Sequence, residues 1–404
     1  MFAPAAGTIV AKSRLAHARV LAESFRRHHP DVPFFVCLAD EVDGCFDPGS
    51  EPYRLLSWTE LRIPDPVERR FRHAREPFSY ALTAAFLRHL VERGHGPVLF
   101  LKQESLVVGS LEPVFRRLEE SSIVLTPHLL EPLDGKPGAE RELEILRAGT
   151  FNVGLLGVSA APEARVFLGW WDERIARHCR RAVGEGIHFE QRWVDLVPAL
   201  FPGAHVLRDP GANVGHWNLP ERRVERSSGE FTTGGGPVRL FRFSGFDPAE
   251  PGWPTCHSRR IRTEELGGAA AAFARYAELL AVAGDAEARL WPWAYGSFDN
   301  GVPVPEVARD VHREMGPEAR RFGDPLHAAG AESYWAWLHA PAPAPGAGPH
   351  GLTRFWLEVY RRRPDVQQAF PDAFGSESGR FRDWISRYGA VEYAVSEAFL
   401  PEAP

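Results

Sequence analysis

The stretch GTIVAKSRLAHARVLAESFRRHHPDVPFFVCLAD (Gly7–Asp40) decides the fold class of this chain. It predicts a strand over Gly7–Ser13, an amphipathic helix over Ser13–His29 and a second strand over Val32–Asp40, because two apolar runs flank a segment with helical spacing. A strand, a helix and another strand in this order are typical of a parallel sheet covered by helices. We therefore expect an α/β domain whose ligands bind at the carboxyl ends of its strands.

The same alternation continues along the next two hundred residues or so, which predicts a mostly parallel central sheet. Further strands are expected in GPVLFLKQESLVV (Gly96–Val108), where an irregular turn leads into a short strand, in Ser121–Thr126 and in TFNVGLLGVS (Thr150–Ser159). Helices are expected over Pro77–Arg93 and Pro162–Arg180. Residues 1–254 are interpreted as one large domain.

The chain beyond residue 254 has a different character. Gly267–Gly284 is rich in alanine with helical spacing, and Leu352–Leu400 has a helical pattern with several aromatic residues. Residues 255–404 are therefore expected to form a mainly helical C-terminal lobe. A flexible segment is expected near 340–351, because Pro, Ala and Gly predominate there and bury little apolar surface.

Composition excludes several classes of protein. Hydrophobic residues make up 44% and charged residues 25% of the chain, which are ordinary globular values, and no apolar run reaches the roughly 18 residues of a membrane span. A net charge of −6 argues against a nucleic-acid partner. The start of the chain does not resemble a secretory signal, so a cytoplasmic location is expected. The four cysteines are widely spaced, which predicts buried free thiols rather than disulfides or a zinc site.

Charged and polar residues follow the apolar run VLFL directly. Lys102, Gln103 and Glu104 lie where a parallel α/β sheet presents residues to a ligand, although a solvated turn would have the same composition. Ala11 and Lys12 follow the first strand in the same way. Both places are candidate parts of a binding site.

Several blocks together resemble a group of bacterial GT-A glycosyltransferases, which transfer sugars from nucleotide-sugar donors. The blocks span about Thr8–Pro248 and include TIVAKSRLAHARVLAESF, VLFLKQESLVVGSLEP, FNVGLLGV, FEQRWVDLVPALFPG, LRDPGANVGHWNL and RFSGFDP. The resemblance implies a GT-A-like nucleotide-sugar domain and transfer of a hexose from a nucleoside diphosphate sugar. It also implies a saccharide, peptide or small-molecule acceptor.

The resemblance fails at the positions that bind a divalent metal ion in this group. There the strand corresponding to VLFL ends in Asp-x-Asp, whereas this chain has Lys102 and Glu104. The group usually shows His-Phe-Ser-Gly-Phe-Asp near the end of the domain, whereas this chain begins that block with Arg242. Two positions outside the metal site differ as well: a lysine in the helix before VLFL, which the resemblance implies contacts the donor phosphate, is Thr83, and the usual Asp-Gln is Glu190-Gln191.

These replacements predict a site that works without metal. A leaving diphosphate requires positive charge, which a metal ion or two basic side chains supply by the same electrostatic mechanism. Lys102 and Arg242 would be that pair, and no cofactor is expected. Glu104 would pair with a basic residue or bind a donor hydroxyl, and Glu190 would orient sugar hydroxyls or face the anomeric carbon.

Two alternatives remain open. The chain is a catalytically inactive GT-A-fold protein that binds a carbohydrate or another protein, or it holds a metal through Glu104 and an aspartate such as Asp247. A working transferase predicts that Lys102 and Arg242 converge on one phosphate-sized volume. The inactive alternative predicts that they are splayed apart or paired with Glu104 and other acids.

The other candidate residues are expected to contact the donor or the acceptor, and each also has a simple structural interpretation. Trp217 has a flat face suited to a sugar ring, and His128 and His216 follow strands that lead to the ligand edge. Gly154 would allow a close approach of neighbouring atoms. The complete set of predicted donor or acceptor contacts is Ala11, Lys12, Thr83, Gln103, His128, Asn152, Gly154, Gln191, His216, Trp217, Ser244 and Gly245.

Overall fold

A computed structural model describes residues 3–343 and 352–401 of the chain. Its strands are β1 Ala3–Val10, β2 Phe34–Leu38, β3 Arg54–Ser57, β4 His95–Leu101, β5 Ser105–Val107, β6 Ile123–Pro127, β7 Phe151–Val158, β8 Arg181–Ala182, β9 Ile187–His188, β10 Ala204–Val206, β11 Val214–Gly215, β12 Glu225–Ser227, β13 Glu230–Thr233, β14 Gly236–Pro237 and β15 Leu240–Arg242. Its α-helices are α1 Leu15–His28, α2 Pro66–Arg72, α3 Arg75–Ala81, α4 Thr83–Glu92, α5 Glu112–Glu120, α6 Gly135–Ala148, α7 Pro162–His178, α8 Val197–Leu200, α9 Ala270–Val282, α10 Asp285–Ala288, α11 Glu306–Met315, α12 Tyr334–His339, α13 Arg354–Arg361, α14 Pro364–Ala369, α15 Ser378–Trp384 and α16 Ala390–Glu392.

Seven strands form the central sheet, in the order β10-β6-β7-β4-β1-β2-β3. The pairs β1–β2, β1–β4, β2–β3 and β6–β10 are parallel, and β7 runs antiparallel to both of its neighbours, β4 and β6. The predicted α/β fold with a mostly parallel sheet and a helical C-terminal region is therefore confirmed. Because β7 is reversed, its first residues lie at the edge where the parallel strands end.

The core follows from the apolar runs of the strands. All residues of β2 are buried, as are the last four of β4, because helices cover the sheet and leave little of it to solvent. Helix α1 buries Leu21 and Phe25 against this sheet. The predicted helix over Pro77–Arg93 is in fact two helices, α3 and α4, separated at Leu82.

Two compact units divide the chain. The first comprises Met1–Ile63 and Glu76–Trp293, and the second comprises Pro64–Arg75 and Ala294–Pro404. The sequence predicts the boundary at residue 254 instead. The difference arises because Phe273 and Tyr276 of α9 pack against Phe243 in one hydrophobic cluster of the first unit. The α/β unit thus retains a helix that its alanine-rich sequence assigned to the C-terminal lobe.

The second unit is mainly helical, as expected, and contains α2 and α11–α16. Its centre includes Phe71, Tyr334 and His312, whose rings contact one another edge to face. Arg309 is buried there and donates hydrogen bonds to the backbone oxygens of Phe71, His73 and Tyr295. These bonds satisfy a guanidinium group that would otherwise be expensive to bury.

The described residues bear on three further expectations, which concern membrane spans, the cysteines and the segment near 340–351. No helix in 3–343 or 352–401 is long and apolar enough to cross a membrane. The cysteines are free, but only Cys37 and Cys179 are buried, whereas Cys45 is half-buried and Cys256 exposed. Most of the segment expected to be flexible, 344–351, lies outside the described residues, while Pro341 before it forms a β-bridge with Thr353.

Candidate functional site

Chemistry-bearing residues gather where the central strands end. Lys12 follows β1, Asp40 follows β2, and Lys102 to Glu104 follow β4, and these three neighbouring strands are parallel. Strand β5 then pairs antiparallel with β15, which sets Arg242 opposite Ser105. The predicted ligand edge is thus occupied by several ionisable side chains.

Lys102 forms a buried ion pair with Glu190. Its ammonium nitrogen lies 2.5 Å from Oε1 of Glu190, whose side chain is fully buried, and the Lys102 side chain is 10% exposed. The same nitrogen lies 3.9 Å from the centre of the Tyr80 ring. Neither carboxylate oxygen of Glu190 has a hydrogen-bond partner with suitable geometry among the described residues. The pair therefore depends on charge, and it retains donor and acceptor capacity.

The backbone just before Glu190 has an unusual conformation. Phe189 has a φ of 50°, which is uncommon for a bulky residue and marks a locally strained turn. The Glu190 carbonyl accepts a hydrogen bond from the indole nitrogen of Trp171 at 3.0 Å. This turn and this bond define the backbone from which the Glu190 side chain extends to Lys102.

Arg242 forms the second ion pair, with Glu104. Nη1 of Arg242 lies 2.5 Å from Oε2 of Glu104 and also donates to the Glu104 backbone oxygen at 3.1 Å. Burial alone would raise the pKa of Glu104, but the positive charges of Arg242, His17 and Arg14 outweigh it and lower the pKa to about 2. Nε of Arg242 is buried without a hydrogen-bond partner among the described residues. This pair, too, keeps an unused donor.

The two ion pairs act on one common group. The pKa of Tyr80 is raised well above its usual value, first by burial and then by the negative charges of Glu104, Glu76 and Glu190, while Arg242 lowers it. Lys102 and Arg242 are each matched by a carboxylate. Pairing with acids is the arrangement that the inactive alternative predicts, and it leaves the four side chains without net charge.

Lys12 is buried more completely than the sequence suggested. Its side chain is 1% exposed and its ammonium group contacts Asp43 and, at 3.3 Å, Asp40. Burial lowers the pKa of Lys12, but the two aspartates outweigh this effect and raise it. Asp40 also accepts from the backbone nitrogens of Lys12 and Glu41. In this structure the Lys12 ammonium is committed to these aspartates.

A hydrogen-bonded network of amides lies at the start of β7. Asn152 contacts Nε2 of His128 at 3.0 Å through its amide nitrogen, and its oxygen accepts from Gly154 N and from Asn213. His128 also contacts the Thr150 oxygen through Nδ1, so Nδ1 carries the proton and Nε2 accepts. Burial lowers the pKa of His128 to about 4. This network therefore contains a neutral histidine.

Gly154 connects this network to the ion pairs. A Cβ atom at Gly154 would lie 2.5 Å from Oδ1 of Asn152, 2.7 Å from Oδ1 of Asn213 and 3.1 Å from Cδ of Arg242. Only glycine permits this approach. The side-chain amide of Gln191, in contrast, is hydrogen-bonded to the backbone: its oxygen accepts from Val153 N at 3.2 Å and its nitrogen donates to the Ala148 oxygen at 3.1 Å.

Two histidines and a tryptophan lie on the neighbouring β11 segment and the loop after β15. His216 lies 6.0 Å from His257, ring centre to ring centre, and burial lowers its pKa to about 3. Trp217 is buried against His128 at 5.5 Å, so its ring is part of the packing. Gly245 has a φ of 72°, and a Cβ atom there would lie 2.8 Å from the His257 ring.

The remaining predicted contacts have simpler surroundings. Thr83 is fully buried at the start of α4, and its hydroxyl has no hydrogen-bond partner among the described residues. Gln103 is buried between the two ion-paired positions, Ser244 is half-buried, and Ala11 is buried at the end of β1. For these four residues the predicted ligand contacts stay predictions.

A divalent metal does not suit the residues at the expected position. Two of the three corresponding side chains are the cations Lys102 and Arg242, which repel a metal ion, and Glu104 is already bound by Arg242. Asp247 is exposed and lies 3.5 Å from Arg289. In the described part of the chain, no group of three or more His, Cys, Asp or Glu side chains is arranged to hold a metal.

Several residues of the site are not indicated as candidates by the sequence, among them Tyr80, His257 and Asn213. Tyr80 and His257 gave no signal, because a lone tyrosine in a helix and a lone histidine in a loop are common. Asn213 did give one: the tripeptide Asn-Val-Gly occurs both at 152–154 and at 213–215, and the two asparagines are bonded at 3.1 Å. Asn213 is fully buried with a φ of 56°, and its own Oδ1 has no hydrogen-bond partner among the described residues.

Comparison with known proteins gives distant similarities. No protein-family model matches the chain. It is 23% identical over 254 residues to the uncharacterized protein YfnF of Bacillus subtilis, covering 59% of this chain and 80% of YfnF. It is also 23% identical over 279 residues to the uncharacterized protein YfnD of the same organism, covering 64% and 83%. Neither name states an activity.

Solved structures similar to this chain are glycosyltransferases. The galactosyltransferase LgtC, in complex with donor and acceptor sugar analogues, is 17% identical with a TM-score of 0.41, covering 69% of this chain and 95% of LgtC. The glycosyltransferase GlyE of Streptococcus pneumoniae is 11% identical with a TM-score of 0.39, covering 73% and 67%. Mouse xyloside xylosyltransferase 1 is 12% identical with a TM-score of 0.35, covering 59% and 96%.

Proposed function

We propose that this chain is a glycosyltransferase of GT-A type that moves a hexose from a nucleoside diphosphate sugar to an acceptor hydroxyl without a metal ion. The observation that carries the proposal is the pair of buried cations, Lys102 and Arg242, where the strands end. Both retain donor capacity, since Nε of Arg242 lacks a partner among the described residues and Lys102 has one ion-pair partner for three N–H groups.

The proposed roles follow from the chemistry of the side chains. Arg242 offers a planar fork of donors that matches phosphate oxygens, whereas Lys102 acts as a compact point charge. In a buried site such charges stabilise a developing diphosphate strongly, because little water screens them. Glu104 and Glu190 accept hydrogen bonds and, once released from the cations, are suited to sugar hydroxyls.

One observation favours a second candidate. Each cation is already paired with a carboxylate, so an incoming diphosphate must compete with Glu190 for Lys102 and with Glu104 for Arg242. A protein that binds a carbohydrate or a partner, without transfer, would tolerate such closed pairs. Measurements of binding and of turnover separate the two candidates.

Binding is tested first, by calorimetry of UDP and GDP with Mn²⁺ or with EDTA. The proposal predicts binding that EDTA leaves unchanged and that Lys102→Met weakens roughly 10- to 150-fold, the range for hydrogen bonds to charged groups. Lys136→Met is the matched control, because Lys136 is exposed on α6. Binding that requires Mn²⁺ would overturn the metal-free assignment.

Turnover is then followed as release of the nucleoside diphosphate from nucleotide sugars. Release that Lys102→Met abolishes and Lys136→Met preserves supports a transferase. Binding of the nucleotide without release supports the second candidate. Absence of any nucleoside diphosphate binding would contradict the nucleotide-sugar assignment altogether.

A further inference from the structure

Tyr80 is an aromatic residue that contacts Lys102, the cation of the first ion pair. It lies in the short helix α3, and neither its residue type nor its position suggested a role in the site. Its ring carries Lys102 on its face, with the ammonium nitrogen 3.9 Å from the ring centre. An ammonium over an aromatic face is attracted by the negative charge distribution of the ring.

The ring is itself held in place. Phe189 packs edge to face against Tyr80, with ring centres 5.5 Å apart, and Phe189 immediately precedes Glu190. The Lys102 ammonium thus contacts a carboxylate at 2.5 Å and a ring at 3.9 Å, and the ring packs on Phe189, the residue that precedes the carboxylate in the chain. Glu190 and Tyr80 contact the charge directly and Phe189 supports the Tyr80 ring, and we call these three residues the cage.

The two walls of the cage differ when an anion enters. Glu190 is negatively charged and competes with a phosphate for Lys102, so it must yield part of its contact. The Tyr80 ring is neutral and binds only the cation, so it does not compete. Without the ring, a lysine released by Glu190 would be free to adopt other rotamers of its long side chain, with a loss of conformational order.

We propose that Tyr80 is a positioning residue, whose ring holds the Lys102 ammonium in place for the anionic part of the ligand when Glu190 releases it. This inference rests on the proposed function, because it takes a nucleoside diphosphate as the anion. It assigns the role to the ring face and none to the phenolic hydroxyl.

The ring and the hydroxyl are separated by two substitutions. Tyr80→Phe keeps the ring and should bind UDP within about twofold of the wild type. Tyr80→Leu removes the ring and should weaken binding roughly 3- to 30-fold, in line with a partly desolvated cation–π contact. Tyr388→Leu, at a tyrosine that is 62% exposed, is the matched control and should bind UDP like the wild type.

A double-mutant cycle tests whether Tyr80 acts through Lys102. In the Lys102→Met background, Tyr80→Leu should weaken UDP binding no further than about twofold. Equal losses in both backgrounds, or a loss in Tyr80→Phe as large as in Tyr80→Leu, would overturn the positioning role. A merely structural tyrosine would not give this dependence on Lys102.

The wild type, Tyr80→Leu, Lys102→Met and the double mutant are also unfolded with urea. If the wild type binds no nucleoside diphosphate, the proposed function fails, yet the cage is still testable by stability. The fold-change that Tyr80→Leu causes in the unfolding equilibrium constant should then be at least threefold smaller in the Lys102→Met background than in the wild type. Additive effects on unfolding would refute the contact itself.

Discussion

Glu190→Gln is the most informative single change, because it should alter stability and ligand binding in opposite directions. Glutamine keeps the size of the side chain and removes its charge. Lys102 then loses the only carboxylate within ion-pair distance among the described residues, while its contact with the Tyr80 ring remains. The buried ammonium becomes uncompensated, and the competitor of an incoming phosphate disappears.

The magnitudes follow from burial. Removing one partner of a buried ion pair destabilises a protein by about 3–5 kcal/mol. Lys102 is 10% exposed and still has its ring contact, so we expect the lower end of that range, about 3 kcal/mol. Affinity for UDP should rise roughly tenfold, about 1.4 kcal/mol, which is close to the lower bound for a hydrogen bond to a charged group.

Urea unfolding followed by circular dichroism gives the stability, and calorimetry with UDP gives the affinity. Glu185→Gln is the control, because Glu185 is 63% exposed and pairs with Arg180 at the surface. Such a pair contributes at most about 1 kcal/mol. If Glu190→Gln is as stable as the wild type, or if it binds UDP more weakly, then Glu190 does not compete with the ligand for Lys102, and the reasoning fails.

Three other predictions concern pH and the backbone. The pKa of Glu104 is lowered to about 2, so the stabilisation from its charged form is complete above about pH 4.5 and disappears as the pH falls towards 2. The difference in free energy of unfolding between the wild type and Glu104→Gln, measured with urea, should shrink by about 3 kcal/mol across that window. A constant difference would argue against the Arg242 pair. His312 is fully buried, and neither ring nitrogen has a hydrogen-bond partner among the described residues. Burial lowers the pKa of His312 to about 3, so the contribution of the neutral ring to the free energy of unfolding is complete above pH 6.5 and is lost as the pH falls. As the pH falls from 7 to 5, the free energy of unfolding of His312→Leu should therefore rise by about 2 kcal/mol relative to that of the wild type. Parallel pH profiles of the two proteins would count against this neutral histidine. Asn213 has a φ of 56°, so Asn213→Ala should be about 1 kcal/mol less stable than Asn213→Gly in thermal or urea unfolding, and equal stabilities would contradict the left-handed conformation.

Much of the α/β unit was accessible from sequence, because its strands are buried on both faces and appear as short apolar runs. The runs at β1, β2, β4 and β7 each lie within one or a few residues of the prediction. The same rule failed for α9, since an alanine-rich amphipathic helix has the same spacing whichever unit it packs on. Periodicity reports that a face is buried and not which surface covers it.

The candidate site was accessible only in part. Lys102, Glu104 and Arg242 were found because they depart from a pattern at known places. Which acid pairs with which base was not evident, since ion pairing joins residues far apart in the chain: Arg242 and Glu104 are 138 positions apart. The strained backbone at Phe189, which presents Glu190 to Lys102, follows from tertiary packing that overrides local preference.

The reversed strand β7 has a consequence for how such a protein can diversify. Because β7 begins, rather than ends, at the edge where β1, β2 and β4 end, the connecting segment 128–150 enters the sheet on that edge. That segment includes α6, on which Leu143 and Leu146 are 54% and 57% exposed. Insertions or exchanges there change what surrounds the amide network of Asn152 without altering the register of any strand. The exposed face of α6 is therefore the part of this segment where substitutions should change the surface beside the strand ends while the scaffold stays the same.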